Sequence, residues 1–205
     1  MEHVNGIDVS DWQGAVDWAA VNAAGYSFAF AKASEGAGWT GKTFAQNRSG
    51  IARAGILRGA YHMFTFDANP IDQASLFLST AQPSGGDLPP VVDLERPTKL
   101  GPRDNVAAIR RFLDLIEART HIPTIVYVGY YYWRDVLGST DAFADHPLWL
   151  ANYTDEPQPT VVPSVWKTVT FWQYSSKGSV GGIKGLVDLD RYLGTPAQLE
   201  ALRLK

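Results

Sequence analysis

Two carboxylates stand two residues apart in the run Val91-Val92-Asp93-Leu94-Glu95. The apolar, largely β-branched residues around them make the run a strand, and side chains alternate faces along a strand. Asp93 and Glu95 therefore share one face, while Val92 and Leu94 take the other. Two acids on the interior face of a strand cost desolvation and repel one another, which raises one pKa and keeps one acid protonated near neutrality. Hydrolysis of a glycosidic bond needs this division: one acid to protonate the leaving oxygen, one anion to stabilise positive charge. The same spacing also suits a strand-end cap, or a pair of acids that salt-bridge Arg58 or Arg96. Asp188 and Asp190 repeat the geometry, with Arg191 at hand as a pairing partner. Asp8 lies between Ile7 and Val9 in an apolar strand, where Lys32 is a candidate to neutralise it.

Other chemistries lack their residues. The chain has no cysteine, which excludes a thiolate nucleophile, a disulfide framework and a Cys-based metal site. Its four histidines are scattered without ligand spacing, so neither a metal nor another cofactor is expected. His62, beside Tyr61, reads as a hydrogen-bonded core residue. Ser10 and Ser34 have no base near them in sequence, so a Ser-His-Asp triad is unsupported. A net charge of -3, with no basic run longer than Arg110-Arg111, argues against a nucleic-acid partner. No apolar run approaches the ~20 residues of a membrane span. Seven Trp and nine Tyr exceed what a core of this size needs, and flat amphipathic rings suit the faces of sugars. Phe28, Phe30 and Phe112 read as core. Trp12, Trp39, Tyr127, Trp172 and Tyr174 border the polar strand ends.

These groups need a frame. The 205 residues suit one domain, and the pattern alternates short β-rich runs with amphipathic helical ones. Strands are expected over 4–9, 26–33, 57–64, 91–95 and 124–128. Helices are expected over 16–23, 44–54, 71–81, 104–119 and 131–137, the fourth with Val106, Ile109, Phe112, Leu113 and Ile116 on one stripe. The rhythm then changes: strands over 148–152, 169–174 and 186–190 follow without long helices, and a helix over 196–204 closes the chain. Repeated βα alternation implies a parallel sheet with right-handed crossovers. The expected fold is thus α/β, a single irregular and flattened TIM-like barrel, (β/α)5β3, filling residues 1–205 as one catalytic domain. An open doubly wound sheet is the rival, weakened because no glycine-rich phosphate fingerprint follows the first strand. In such a barrel the active site lies at the C-terminal strand ends, which here carry Asp8, Lys32, Glu35, His62, Asp93, Glu95, Tyr127, Trp149, Asn152, Trp172, Gln173, Tyr174, Asp188 and Asp190.

Seven segments in order then carry a resemblance. Gly6-Ile7-Asp8-Val9-Ser10 with Trp12-Gln13-Gly14 resembles the opening of glycoside hydrolase family 25, the Chalaropsis-type lysozymes. The others are Phe28 through Gly36, Gly59-Ala60-Tyr61-His62, Asp93-Leu94-Glu95, Leu148 through Tyr153, Trp172-Gln173-Tyr174-Ser175 and Val187-Asp188-Leu189-Asp190. The resemblance implies the five-plus-three barrel. It also implies cleavage of the β-1,4 bond between N-acetylmuramic acid and N-acetylglucosamine of peptidoglycan, with a lean toward net retention. Glu95 maps onto the family's proton donor, and Asp93, Asp8 and Asp188 onto its other catalytic acids. Asp190 stands where the family often has Asn and is left out of that set. Tyr61, Tyr127, Trp172, Tyr174, Glu35 and Lys32 are the expected substrate-binding residues. Asp11 departs from the family's usual His or Ser and reads as an extra acid at the cleft mouth, able to shift pH optimum or subsite preference. A non-catalytic wall-binding barrel and a chitinase-like hydrolase are the alternatives. The first would need a missing acid, and the second usually has an acid where Val91 stands. The start Met1-Glu2-His3-Val4-Asn5 lacks the basic and apolar stretches of a secretory leader, and no wall-binding repeat precedes Lys205. The expectation is a monomer acting on the cell wall from outside, as a phage endolysin or a leader-trimmed secreted enzyme.

Overall fold

The computed structural model describes residues 2–205. In chain order its elements begin β1 (Val4–Val9), a 3₁₀ turn (Asp11–Gln13), α1 (Trp18–Ala23), β2 (Phe28–Glu35), the short β3 (Trp39–Thr40), α2 (Phe44–Arg53), β4 (Leu57–Met63) and α3 (Pro70–Ala81). They continue with β5 (Val91–Leu94), α4 (Pro102–Thr120), β6 (Ile125–Gly129), α5 (Tyr130–Asp135), β7 (Leu148–Ala151), β8 (Phe171–Gly178), β9 (Val187–Tyr192) and α6 (Pro196–Glu200). The helices start and stop for local reasons. Asn69 caps α3 by accepting the Ile71 N–H, and Pro70 follows in the first turn, where its missing donor costs nothing. α4 opens on Pro102, buries Ile109, Phe112, Leu113 and Ile116, and ends where His121 turns left-handed.

The strands close into a barrel in the order β1-β9-β8-β7-β6-β5-β4-β2, with β1 pairing back onto β2 and β3 appended to β2 as a hairpin. Neighbours from β1 through β2, β4, β5, β6, β7 and β8 run parallel. β9 is antiparallel to both β8 and β1. The sequence pattern implied a parallel sheet throughout. The exception arises because only the eight residues 179–186 join β8 to β9, too few for the crossover of a dozen or more residues that a parallel return needs.

Alternation along the strands divides the core in two. Ile7, Val9, Leu94, Val128 and Leu150 point outward and pack under the helices with Ile51, Phe77 and Phe112. Phe28, Phe30, Val91, Ile125, Trp149 and Phe171 point inward. Phe30 sits 4.7 Å from Trp149 and 5.3 Å from Phe171, ring centre to ring centre. This aromatic cluster fills the barrel interior, and Trp149 of it lines the cleft described below. Gly6 and Gly59 make room for it: a Cβ on either would lie 2.2 Å from the Phe28 ring or 2.3 Å from the Phe30 ring. Most boundaries differ from the expected ones by one to four residues: β2 starts and ends two residues later, β5 stops at Leu94, one residue before Glu95, β8 runs on to Gly178 and α6 is shorter; β3 and the 3₁₀ turn are not expected from the sequence.

Candidate active site

The C-terminal barrel end holds a cavity of about 200 Å³ whose acidic lining is Asp8, Asp93, Glu95 and Asp188. Tyr61, Tyr127, Trp149 and Tyr153 form aromatic walls, and Lys32 is the cation of the lining. Asp8 comes from the end of β1. Asp188 lies opposite Asp8 in register on β9, and Asp190 lies opposite Gly6. Because β9 runs antiparallel, its beginning is what reaches the active end. Asp188 is therefore half-buried at the cleft, and Asp190, two residues along, sits deeper and is wholly buried. The sequence reading had placed both at a C-terminal strand end. Asp93 is buried near the end of β5, while Glu95, one residue past that strand, is exposed to the cleft.

Glu95 and Asp93 do share the cleft, and the structural explanations for them fail. Among the described residues neither joins an ion pair: Arg58 binds Asp87, and Arg96 binds Glu35. Arg191 does not pair with Asp188 or Asp190 either. Its guanidinium lies over the Trp172 and Tyr174 rings, 5.3 and 4.3 Å from their centres.

Gln173 organises the floor. Its Oε1 accepts the hydroxyl protons of Tyr127 at 2.7 Å and Tyr153 at 2.8 Å. With that oxygen fixed as acceptor, Nε2 must be the donor, and it donates to Asp8 Oδ2 at 2.6 Å. The Trp149 indole N–H donates to Asp190 Oδ1 at 2.9 Å. Among the described residues Asp93 Oδ1 is buried with no hydrogen-bond partner.

Burial is the main force on these acids. It raises Asp8 well above the ordinary carboxylate range, aided by the charges of Asp190 and Asp188 and opposed by the Gln173 hydrogen bond. It raises Asp93 likewise, with Glu95 adding to the effect and Lys32 and Arg96 opposing it. Asp190 is raised by burial against the pull of Trp149. Asp188 is pushed up from 3.8 to about 6, by burial first and Glu95 second. Burial and the surrounding carboxylates also raise Tyr61 and Tyr127, which keeps their hydroxyls protonated donors. The cleft is a low-dielectric acidic funnel, able to hold protons on its buried members and to stabilise a developing cation.

Of the expected substrate-binding residues, Tyr61, Tyr127 and Lys32 line this cleft. Glu35 does not; it bounds an adjoining depression, held by Lys32 at 2.6 Å and by Arg96. Lys32 consequently does not neutralise Asp8: its Nζ lies on Glu35 and 3.3 Å from Met63 Sδ. Trp172 and Tyr174 are on the other side of β8 from Gln173. The alternation that turns Gln173 inward turns them out, where Trp172 is buried and donates to the Asn152 carbonyl. His62 is the core histidine expected, bonded to Ser34 and Gln73 and stacked on Phe112. Asp11 is not a free acid at the cleft mouth. It accepts the backbone N–H groups of Lys42 and Thr43 and the Thr43 hydroxyl, tying the 3₁₀ turn to the start of α2. The sequence places Trp149 and Gln173 at strand ends facing the site without giving either a role there, and does not single out Tyr153. Period-two alternation from Phe171 was the available signal for Gln173.

The sequence profile described as glycosyl hydrolases family 25 matches residues 7–183. Lysozyme M1 of Streptomyces globisporus is 38% identical over 97% of this chain and 71% of its own length. The N,O-diacetylmuramidase of Chalaropsis sp. is 31% identical over 94% of this chain and 99% of its own. The crystal structure of the bacterial lysozyme from Streptomyces coelicolor superposes with a TM-score of 0.94 at 36% identity, covering 99% of this chain and 98% of that one. A barrel with this strand order, an acidic cleft at its active end and these relatives leave one assignment: the chain belongs to glycosyl hydrolases family 25.

Proposed function

We propose that this protein is a muramidase of the bacterial cell wall, cutting the β-1,4 bond between N-acetylmuramic acid and N-acetylglucosamine, with Glu95 as its acid and base. The similarity to proteins named lysozyme and N,O-diacetylmuramidase supports the substrate. One observation carries the assignment of the acid. Glu95 is the exposed, ion-pair-free carboxyl of a cleft whose other acids are partly or wholly buried.

Glu95 gives its proton to the glycosidic oxygen and then takes one from the incoming water. Positive charge grows at the anomeric carbon, where the acidic funnel of Asp8, Asp93 and Asp188 stabilises it. Asp93 stands next to that charge, and its Oδ1 has no partner of its own. In its ionised form it serves retention in one of two ways: its carboxylate attacks the anomeric carbon as the bond to the leaving oxygen breaks, or it orients the substrate's N-acetyl group to do so. Gln173 keeps Asp8 aimed, and Tyr61, Tyr127 and Lys32 contact the sugars.

The test is a digest of purified peptidoglycan with wild type and Glu95→Gln, with new reducing ends read by mass spectrometry after borohydride reduction. Muramitol ends from wild type alone support the scheme. Glucosaminitol ends overturn the choice of bond, and full turnover by Glu95→Gln overturns the choice of acid. The anomer first released, read by NMR, checks retention.

A further inference from the structure

Trp12 is 93% exposed, the most exposed of the large hydrophobic side chains among the described residues. Tryptophan is normally buried over most of its surface, and flexibility of its segment is not the reason for the exposure here. The 3₁₀ turn that carries Trp12 is fastened on every side. Ser10 Oγ accepts the Trp12 N–H, and Gln13 Oε1 accepts the Ser10 N–H at 2.9 Å. Gln13 Nε2 reaches across to the Leu186 carbonyl at 3.1 Å. Asp11 binds Lys42 and Thr43 at the start of α2 through three contacts of 2.8 to 3.0 Å. Gly14 leaves the turn at φ 60°, ψ -132°, a conformation that side-chain-bearing residues avoid. The fold thus fixes the backbone that carries the indole and leaves the ring itself in water.

Its position is informative. Trp12 lines the catalytic cleft and also the depression beside it, whose walls include Trp39, Lys32, Lys42 and Arg96. Ser10, Trp12 and Lys32 line both, so the two spaces adjoin. Trp39 is exposed at the β3 hairpin, with Lys32 Nζ 5.1 Å from its ring centre. A polymer bound across Glu95 and leaving on this side passes over the Trp12 ring and between hydrogen-bonding cations. A pyranose fits these surroundings, since its C–H face packs on an indole and its edge carries hydroxyl and acetamido groups.

We propose that Trp12 is the platform of an additional sugar subsite, stacking on a ring of the glycan strand beyond the two that flank the scissile bond. The inference rests on the muramidase reading and deepens it. The fixed turn is what makes the platform useful, because binding then has only the two torsions of the indole to order and not the segment that carries it.

The experiment uses peptide-free glycan strands of four, six and eight sugars, with wild type, Trp12→Ala and Trp12→Phe. Circular dichroism and thermal melts establish that all three fold alike, as expected for a side chain that packs on almost nothing. For wild type, KM falls as the strand lengthens. Trp12→Ala loses that dependence, its KM on the longest strand rising about tenfold while kcat changes little, and Trp12→Phe recovers part of it. A wild-type length dependence retained in full by Trp12→Ala overturns the subsite while leaving the muramidase reading intact. Failure of wild type to cut any strand overturns both.

Discussion

Asp188→Asn probes whether the carboxylates of the cleft are held together against their own repulsion. Burial and the Glu95 charge raise the Asp188 pKa from 3.8 to about 6. At about 1.4 kcal/mol per unit, two units amount to about 3 kcal/mol. Asp188 is only half-buried, so solvent screening reduces this to on the order of 1–2 kcal/mol. The sign follows from linkage. Below pH 4 the carboxyl is protonated in folded and unfolded chains alike and contributes nothing. Above pH 6 it is ionised in both, and only the folded chain bears the repulsion and lost hydration, so stability falls as pH rises from about 4 to 6. Asn keeps the shape and removes the charge. The variant should match wild type near pH 4 and exceed it by about 1–2 kcal/mol at pH 7.5, a gain on the order of 2–8 °C in Tm for a chain of this size. The pressure that Asp188 exerts on Asp8 adds to the gain. Urea unfolding of both proteins at the two pH values measures it, and kcat/KM on peptidoglycan should fall in the same variant. A stability difference that is equal at both pH values, or that favours wild type at pH 7.5, refutes the electrostatic account.

Glu95→Gln should fold as wild type and lose on the order of 10²–10⁴ in kcat, the usual contribution of a general acid and base; borohydride-tagged product counts measure it. Gln173→Leu removes the donor to Asp8 and the acceptor of two tyrosine hydroxyls. It should cost about 1–3 kcal/mol for the buried groups left unpaired and lower kcat/KM through a misaimed Asp8, read by urea unfolding and by steady-state kinetics. His62 has its pKa lowered from 6.5 to about 4 by burial. Its folded form stays neutral while the unfolded chain takes a proton, so this residue withdraws stability as pH falls from about 6.5 toward 4. A ¹⁵N-detected NMR titration should show the ring neutral at pH 5. The same loss applies to wild type and Asp188→Asn and cancels in their comparison.

The frame was legible because periodicity reports what is buried. The strand around Val91, Val92 and Leu94 and the stripe Ile109, Phe112, Leu113 and Ile116 on α4 each have a single way to hide their apolar side chains. The closing strands were less legible. Their sequences specify β structure but not direction, and only the shortness of the β8–β9 connection decides that β9 runs backwards. Residue type misled for Trp172 and Tyr174. Aromatic rings suggested sugar contacts, but alternation gives the inward position to Gln173, a residue whose amide is worth more there than a ring because it can bind an acid and two hydroxyls together.

Strand direction also settles which acids are exposed. Asp188 and Asp190 have the same spacing as Asp93 and Glu95, and by sequence the two pairs looked alike. On β5, which runs toward the active end, the later acid of the pair is the outer one: Glu95 emerges into the cleft and Asp93 stays buried. On β9, which runs away from it, the order inverts: Asp188 meets the cleft and Asp190 is sealed below, bonded to the Trp149 indole. An acid needs water or substrate to exchange protons, so the outer members of each pair are the ones suited to proton transfer. The buried members are suited to holding charge or a proton in place. Glu95 and Asp188 thus face each other's fields from opposite strand polarities, and the Glu95 charge that helps raise the Asp188 pKa to about 6 is a direct consequence of the single antiparallel strand that closes the barrel.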